Sequence, residues 1–158
     1  MSTVKKISQK QEAKVAKDLN AKTVVASGAL WGAKGDVRSD KYLVECKTTS
    51  KSFYSLTSNV WGKIKREAIK DGLRVPAMCI EVKGQSVAIV EQGLVQDYLT
   101  EHCIKIYSVD VLAKSFRVRA DYDKPVAYTC IDKSWGKHPE KLVQMGWENF
   151  VAIADDLI

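Results

Sequence analysis

A capped amphipathic segment, running from Thr57 or Ser58 to Asp71-Gly72, lies between two groups of strand-like segments, and this alternation constrains the fold more than anything else in the chain. Thr57 and Ser58 are good helix N-caps, and Gly72 is a good helix stop. Val60, Trp61, Ile64 and Ala68 recur at helical spacing, while Lys63, Arg66 and Lys70 face elsewhere. Before this helix, residues 36–38 and 42–47 form an expected hairpin joined by the polar Ser39-Asp40-Lys41. After it, residues 75–82 and 86–91 form two more strands around Lys83-Gly84-Gln85. At the start, Ser8-Gln9-Lys10-Gln11 matches a capping box, which predicts a first helix from Ser8 to about Leu19. A short β-branched strand follows at 23–27, and then a loop with Gly28, Gly32 and Gly35. Helix, three strands, helix, two strands is the order of an α/β protein with a mixed central β-sheet flanked by helices.

Beyond Glu91 the pattern predicts a short helix at 94–102, strands at 104–109, 116–119 and 126–131, and a terminal helix at 140–157. In that last helix Pro139 would occupy the first turn and Gly146 a weak point. A length of 158 residues suits one compact domain, here a core at 1–103 with a C-terminal extension at 104–158 packed on it. With 46% hydrophobic and 28% charged residues, the composition excludes a disordered chain. No apolar run reaches the length of a membrane span, and no apolar stretch follows the basic start of the chain, so neither membrane insertion nor secretion is expected. Cys46, Cys79, Cys103 and Cys130 form no CxxC pair and are expected as reduced, mostly buried thiols in a cytoplasmic protein.

Charge is unevenly distributed. Residues 1–74 hold 16 Lys/Arg against 7 Asp/Glu, a net +9, while residues 75–158 hold 9 against 12, a net −3. A basic half suits a polyanionic partner, nucleic acid first, although a lysine-rich solvated surface has the same composition.

The carboxylates narrow the choice. In the strand 42–47, Val44 and Cys46 take one face, and Leu43, Glu45 and Lys47 take the other. Hairpin pairing brings Asp36 beside Glu45. Two converging carboxylates repel unless a cation lies between them, and oxygen-only ligation suits Mg²⁺, with Mn²⁺ as a substitute. Lys47, two residues from Glu45, is placed to stabilise charge on an attacked phosphate. In the first helix Glu12 shares a face with Val15, Ala16 and Leu19, which places a carboxylate on the core side. Taken alone, Glu12 equally suits the first turn of a helix, where a negative charge is favoured.

A helix glutamate, then Gly35-Asp36, then Glu45-Cys46-Lys47 resembles the PD-(D/E)xK nuclease superfamily and, within it, the archaeal-type Holliday junction resolvases. The likeness spans roughly 8–91, with Gly35 standing where the family usually has proline. It implies a restriction-endonuclease-like core and a metal-dependent, structure-selective DNA endonuclease that leaves 5′-phosphate ends. Glu12, Asp36, Glu45 and Lys47 would be its catalytic residues. Asp36, Glu45 and the Cys46 carbonyl would hold one ion, and Glu12 a second ion or a ligating water. Symmetric cutting of a four-way junction implies a homodimer. Another nuclease of the superfamily, acting on flaps, ends or specific sites, and a non-catalytic DNA-binding module remain as alternatives.

DNA contacts are expected from Lys10, Ser27, Trp31, Lys34, Lys51, Lys63 and Arg66. Trp31 is placed either to stack on a base or to fold back onto the core. The spacing of the glycine loop does not fit a nucleotide-binding P-loop, and His102, Cys103, Cys130 and His138 match no zinc-ligand rhythm. A decoy, Asp71 with Glu81-Val82-Lys83, lacks the hairpin and the preceding helix glutamate.

Overall fold

The computed structural model describes residues 3–20, 22–23 and 36–158. Ser27, Trp31, Lys34, the glycine loop and most of the expected 23–27 strand lie outside the described residues.

Helix α1 (Thr3–Asp18) starts ahead of the Ser8 capping box. Val4, Lys5, Lys6 and Ile7 contain no Gly or Pro to stop a helix, and an interior serine is only about 0.5 kcal/mol poorer than alanine. Strands β1 (Lys22–Thr23), β2 (Val37–Arg38) and β3 (Tyr42–Thr49) pair antiparallel in sequence. A short β4 (Tyr54–Thr57) leads into α2 (Ser58–Lys70), whose N-cap Thr57 accepts a 3.2 Å hydrogen bond from the Val60 N–H. Strands β5 (Val75–Val82) and β6 (Gln85–Glu91) form a hairpin. Lys83 at φ 50° and Gly84 at φ 80° supply the two left-handed residues that match a hairpin turn to strand twist. Then come α3 (Gln92–Glu101), β7 (Tyr107–Val111), β8 (Ser115–Val118), β9 (Val126–Cys130), a 3-10 turn (Lys133–Trp135), β10 (Glu140–Gly146) and α4 (Trp147–Ala154).

Among the described residues, eight strands form one mixed sheet in the order β1-β2-β3-β5-β6-β10-β9-β7. β3 and β5 run parallel, as do β7 and β9, and the other neighbours are antiparallel. The protein is therefore α/β, with a mixed central sheet flanked by helices. On one face Val15 and Ala16 of α1, Val95 and Leu99 of α3, and Trp147 and Phe150 of α4 pack on Val44, Ala77, Val90 and Val143. On the other, Trp61, Ile64 and Ala68 of α2 and Phe116 of β8 pack on Leu43, Met78, Ile89 and Leu142. Val60 is half-buried at the margin of that stripe, and Lys63, Arg66 and Lys70 are exposed. β4 pairs with β8 as a separate two-stranded sheet, a strand the sequence pattern does not announce.

The expected terminal helix at 140–157 is corrected. Residues 140–146 form β10, inserted between β6 and β9, and the helix starts only at Trp147. Leu142, Val143, Gln144 and Met145 are all buried, because this strand is covered on both faces. Such a strand shows no alternation, and a short apolar run is ambiguous between helix and strand. Gly146, taken as a weak point, is the N-cap of α4. Residues 104–158 thus extend the same sheet. Cys79 and Cys130 are buried and Cys46 partly so, but Cys103 is exposed just after α3, at φ 52°.

Candidate active site

The β2–β3 hairpin builds the site. Val37 faces Val44 and Arg38 faces Leu43, and Asp36, immediately before Val37, lies near enough for its charge to act on Glu45. The Asp36 N–H donates to the Val44 carbonyl at 3.1 Å, and the Asp36 Oδ2 accepts from the Cys46 N–H at 2.8 Å. Because backbone groups alternate direction along a strand, the Cys46 carbonyl faces the same edge as the Val44 carbonyl. Leu43 belongs to the α2-side core and Val44 to the α1-side core, so Glu45 and Lys47 emerge on the α2 side. The Lys47 Nζ lies 3.5 Å from the Glu45 Oε1.

The electrostatics show what this arrangement costs. Burial, followed by the Asp36 charge, pushes the Glu45 carboxyl up to about 7, against the opposing pull of Lys47 and Lys63. Burial and then the Asp36 charge also raise Glu12. Burial alone would lower Lys47, but Glu45, Tyr54 and Asp36 outweigh it and hold the ammonium above its ordinary value. The Cys46 thiol is pushed up by burial, Cys79 and all three of Asp36, Glu12 and Glu45. Asp36 is the common neighbour: its charge acts on Glu12, on Glu45 and on Lys47, whereas Glu12, on the α1 face, and the Glu45–Lys47 pair, on the α2 face, are linked only through it.

The Glu45 shift gives a stability prediction. A carboxyl near 7 in the folded chain, against an ordinary value of 4.5, holds its proton more tightly than the unfolded chain does. Its stabilising contribution is complete below the unfolded value and is lost as pH rises through the folded one. Metal-free protein should therefore lose stability through this group between about pH 5 and pH 8. Glu45→Gln, which carries no charge, should melt higher than wild type near pH 8 and show a flatter pH profile. Identical thermal profiles for the two proteins would mean that neither burial nor Asp36 raises the Glu45 carboxyl.

Helix α1 departs from expectation in one detail. Glu12 is half-buried at the margin of the core, and the residue turned fully inward at that level is Gln11, 6% exposed. The Gln11 Nε2 donates to the Lys47 carbonyl at 2.8 Å and to the Cys79 carbonyl at 3.2 Å. Tyr54 is a second residue the pattern does not indicate. Half-buried on β4, its phenol is raised by burial, with Lys47 pulling it down and Glu45 pushing it up. Both arrive through tertiary packing, and neither carries a local sequence signal.

Among the described residues no three His, Cys, Asp or Glu side chains are grouped so as to enclose a metal ion. The donors at the hairpin fit a hard divalent cation in chemistry: two carboxylates, Asp36 and Glu45, and the Cys46 carbonyl, all oxygen. Mg²⁺ commonly uses one or two carboxylates and completes its shell with water and substrate oxygens.

Of the expected DNA contacts, Lys10, Lys51, Lys63 and Arg66 are exposed. Lys63 bears on Glu45 and pairs with Glu67 at 3.8 Å. Arg66 lines a cavity with Lys133 and Trp135. The decoy aspartate is engaged elsewhere: Asp71 meets Arg38 at 3.1 Å and Arg74 at 3.3 Å. No family model, no curated protein and no solved structure matches the chain. Among the described residues no helix is long and apolar enough to cross a membrane.

Proposed function

We propose that this chain is a metal-dependent DNA endonuclease with a restriction-endonuclease-like core of the PD-(D/E)xK type, and that its substrate is a branched, four-way DNA junction. The observation that carries the proposal is the hairpin register. Asp36 enters the hairpin where its charge acts on Glu45, Lys47 shares the strand face of Glu45 at 3.5 Å from it, and Glu12 feels the charge of the same aspartate. A chain with no use for this cluster would be stabilised by replacing Glu45, since burial and Asp36 both disfavour its charge.

In this reading Asp36, Glu45 and the Cys46 carbonyl hold Mg²⁺ or Mn²⁺, and Glu12 takes a second ion or a ligating water. The bound ion would supply positive charge at the phosphoryl oxygen and acidify a water. Asp36 also acts on the backbone, because accepting from the Cys46 N–H fixes the strand segment that carries Glu45 and Lys47. Lys47 presents its ammonium to the phosphate undergoing attack. Hydrolysis adds water across the P–O3′ bond and leaves a 5′-phosphate and a 3′-hydroxyl. Paired symmetric cuts in a junction call for a homodimer.

The test is a panel of labelled four-way junction, linear duplex and single strand, each with Mg²⁺, Mn²⁺ or EDTA. Preferential cutting of the junction is expected. Equal cutting of linear duplex would make the chain a broader nuclease of the same type. Binding without cutting under every metal condition would make it a DNA-binding module.

Affinity should also depend steeply on salt. Lys10, Lys51 and Lys63 are exposed cations in the basic half. With about four phosphate contacts, raising salt from about 50 to 200 mM should weaken binding about a hundredfold through counterion release. A flat response in a fluorescence-anisotropy titration would remove these lysines from the binding surface.

A further inference from the structure

Gln11 is one of three buried polar residues among the described side chains, with Ser58 and Gln144. A buried amide is costly unless bonded, and this one spends its N–H donors on two neighbouring strands: the Lys47 carbonyl of β3 and the Cys79 carbonyl of β5. Cys79 is the register partner of Cys46, so the two bonds fall at the Cys46–Lys47 level of the two strands. Two turns further along α1, Asp18 accepts from the Trp147 Nε1 at 2.9 Å. Helix α1 is thus held at two points with Val15 and Ala16 packed between them, and Gln11 is the point adjacent to Glu12.

We propose that Gln11 is a positioning residue of the site. Its amide pins the Glu12 turn of α1 to the Lys47 end of β3, and so sets where the Glu12 carboxylate stands relative to Asp36. The proposal rests on the nuclease reading for its catalytic consequence, though the clamp itself can be measured without it. Packing alone allows a helix to slide or roll by a fraction of an ångström. Two hydrogen bonds to fixed backbone oxygens do not, and catalytic groups tolerate little displacement.

The experiment compares Gln11→Met, which keeps length and helix propensity but has no N–H donor, with Asp18→Ala, which releases the other point. Three quantities are read: melting temperature, single-turnover junction cleavage at saturating enzyme, and backbone amide exchange in β3 and β5. Gln11→Met should slow cleavage about tenfold to a hundredfold, the scale for losing a support of a metal site. It should also speed exchange around Lys47 and Cys79. Asp18→Ala should lower the melting temperature and leave the saturated rate near wild type. Wild-type rate in Gln11→Met, or an equal loss of rate in Asp18→Ala, overturns the proposal by making Gln11 an ordinary structural contact. If wild type itself cuts nothing, the nuclease reading fails. Amide exchange then decides the clamp alone, and unchanged exchange in Gln11→Met overturns it.

Discussion

Asp36→Ala should abolish junction cleavage while leaving DNA binding intact or slightly tighter. The carboxylate's charge acts on Glu45, and it is one of the two acids that would hold the ion. Loss of a metal ligand removes several kcal/mol of transition-state stabilisation, which is about three orders of magnitude in rate or more. Binding should not suffer, because removing a negative charge beside phosphates lowers repulsion. Asp36 also accepts from the Cys46 N–H, so the alanine variant disturbs the strand as well as the charge. Asp36→Asn separates the two effects: its amide oxygen keeps an acceptor for that N–H and removes the charge. Both variants should be inactive. An asparagine variant with near wild-type cleavage would assign the role of Asp36 to holding the hairpin alone.

Lys47→Ala should slow single-turnover cleavage by about two orders of magnitude or more, the scale for one preorganised electrostatic group. Junction affinity should change little, because other basic residues contribute to binding. Lys63→Ala should do the reverse, weakening affinity modestly and sparing the rate at saturating enzyme. Lys47 also lies 3.5 Å from Glu45 and helps keep it ionised. The comparison therefore belongs at a pH well above 7, where Glu45 is charged in both proteins. If the rate of Lys47→Ala recovers there, Lys47 acts through Glu45. If affinity falls and the saturated rate holds, Lys47 is a phosphate contact and the mechanism loses its electrophilic group.

The hairpin was legible in the sequence because its information is local. Alternation between Tyr42 and Lys47 sorts side chains to two faces, the polar Ser39-Asp40-Lys41 marks the turn, and pairing then sets Val37 and Arg38 against Val44 and Leu43 without reference to the rest of the chain. Helix α2 was legible for a similar reason, since its Thr57 cap and its Trp61, Ile64 and Ala68 stripe are written in consecutive residues. β10 was not. Its four consecutive buried residues reflect neighbours on both faces, and no window of the sequence contains those neighbours. Gln11 was hidden for a related reason: a glutamine in a helix has no mark that separates a solvated position from a bond to Lys47, 36 residues away. Tyr54 becomes part of the site only because residues 50–53 turn the chain back and set β4 near Lys47, and that turn carries no decisive Gly or Pro signal.

The proposed activity depends on whether the Asp36–Glu45–Lys47 cluster hydrolyses DNA with a divalent ion. The sharpest experiment incubates wild-type protein with a four-way junction in EDTA, then adds Mg²⁺ in excess and treats the products with DNA ligase. Nicks should be absent in EDTA, appear on addition of Mg²⁺, and be resealed by ligase, as 5′-phosphate and 3′-hydroxyl ends require. Junction that stays bound and uncut in Mg²⁺ and in Mn²⁺, or cutting that persists undiminished in EDTA, would contradict this mechanism.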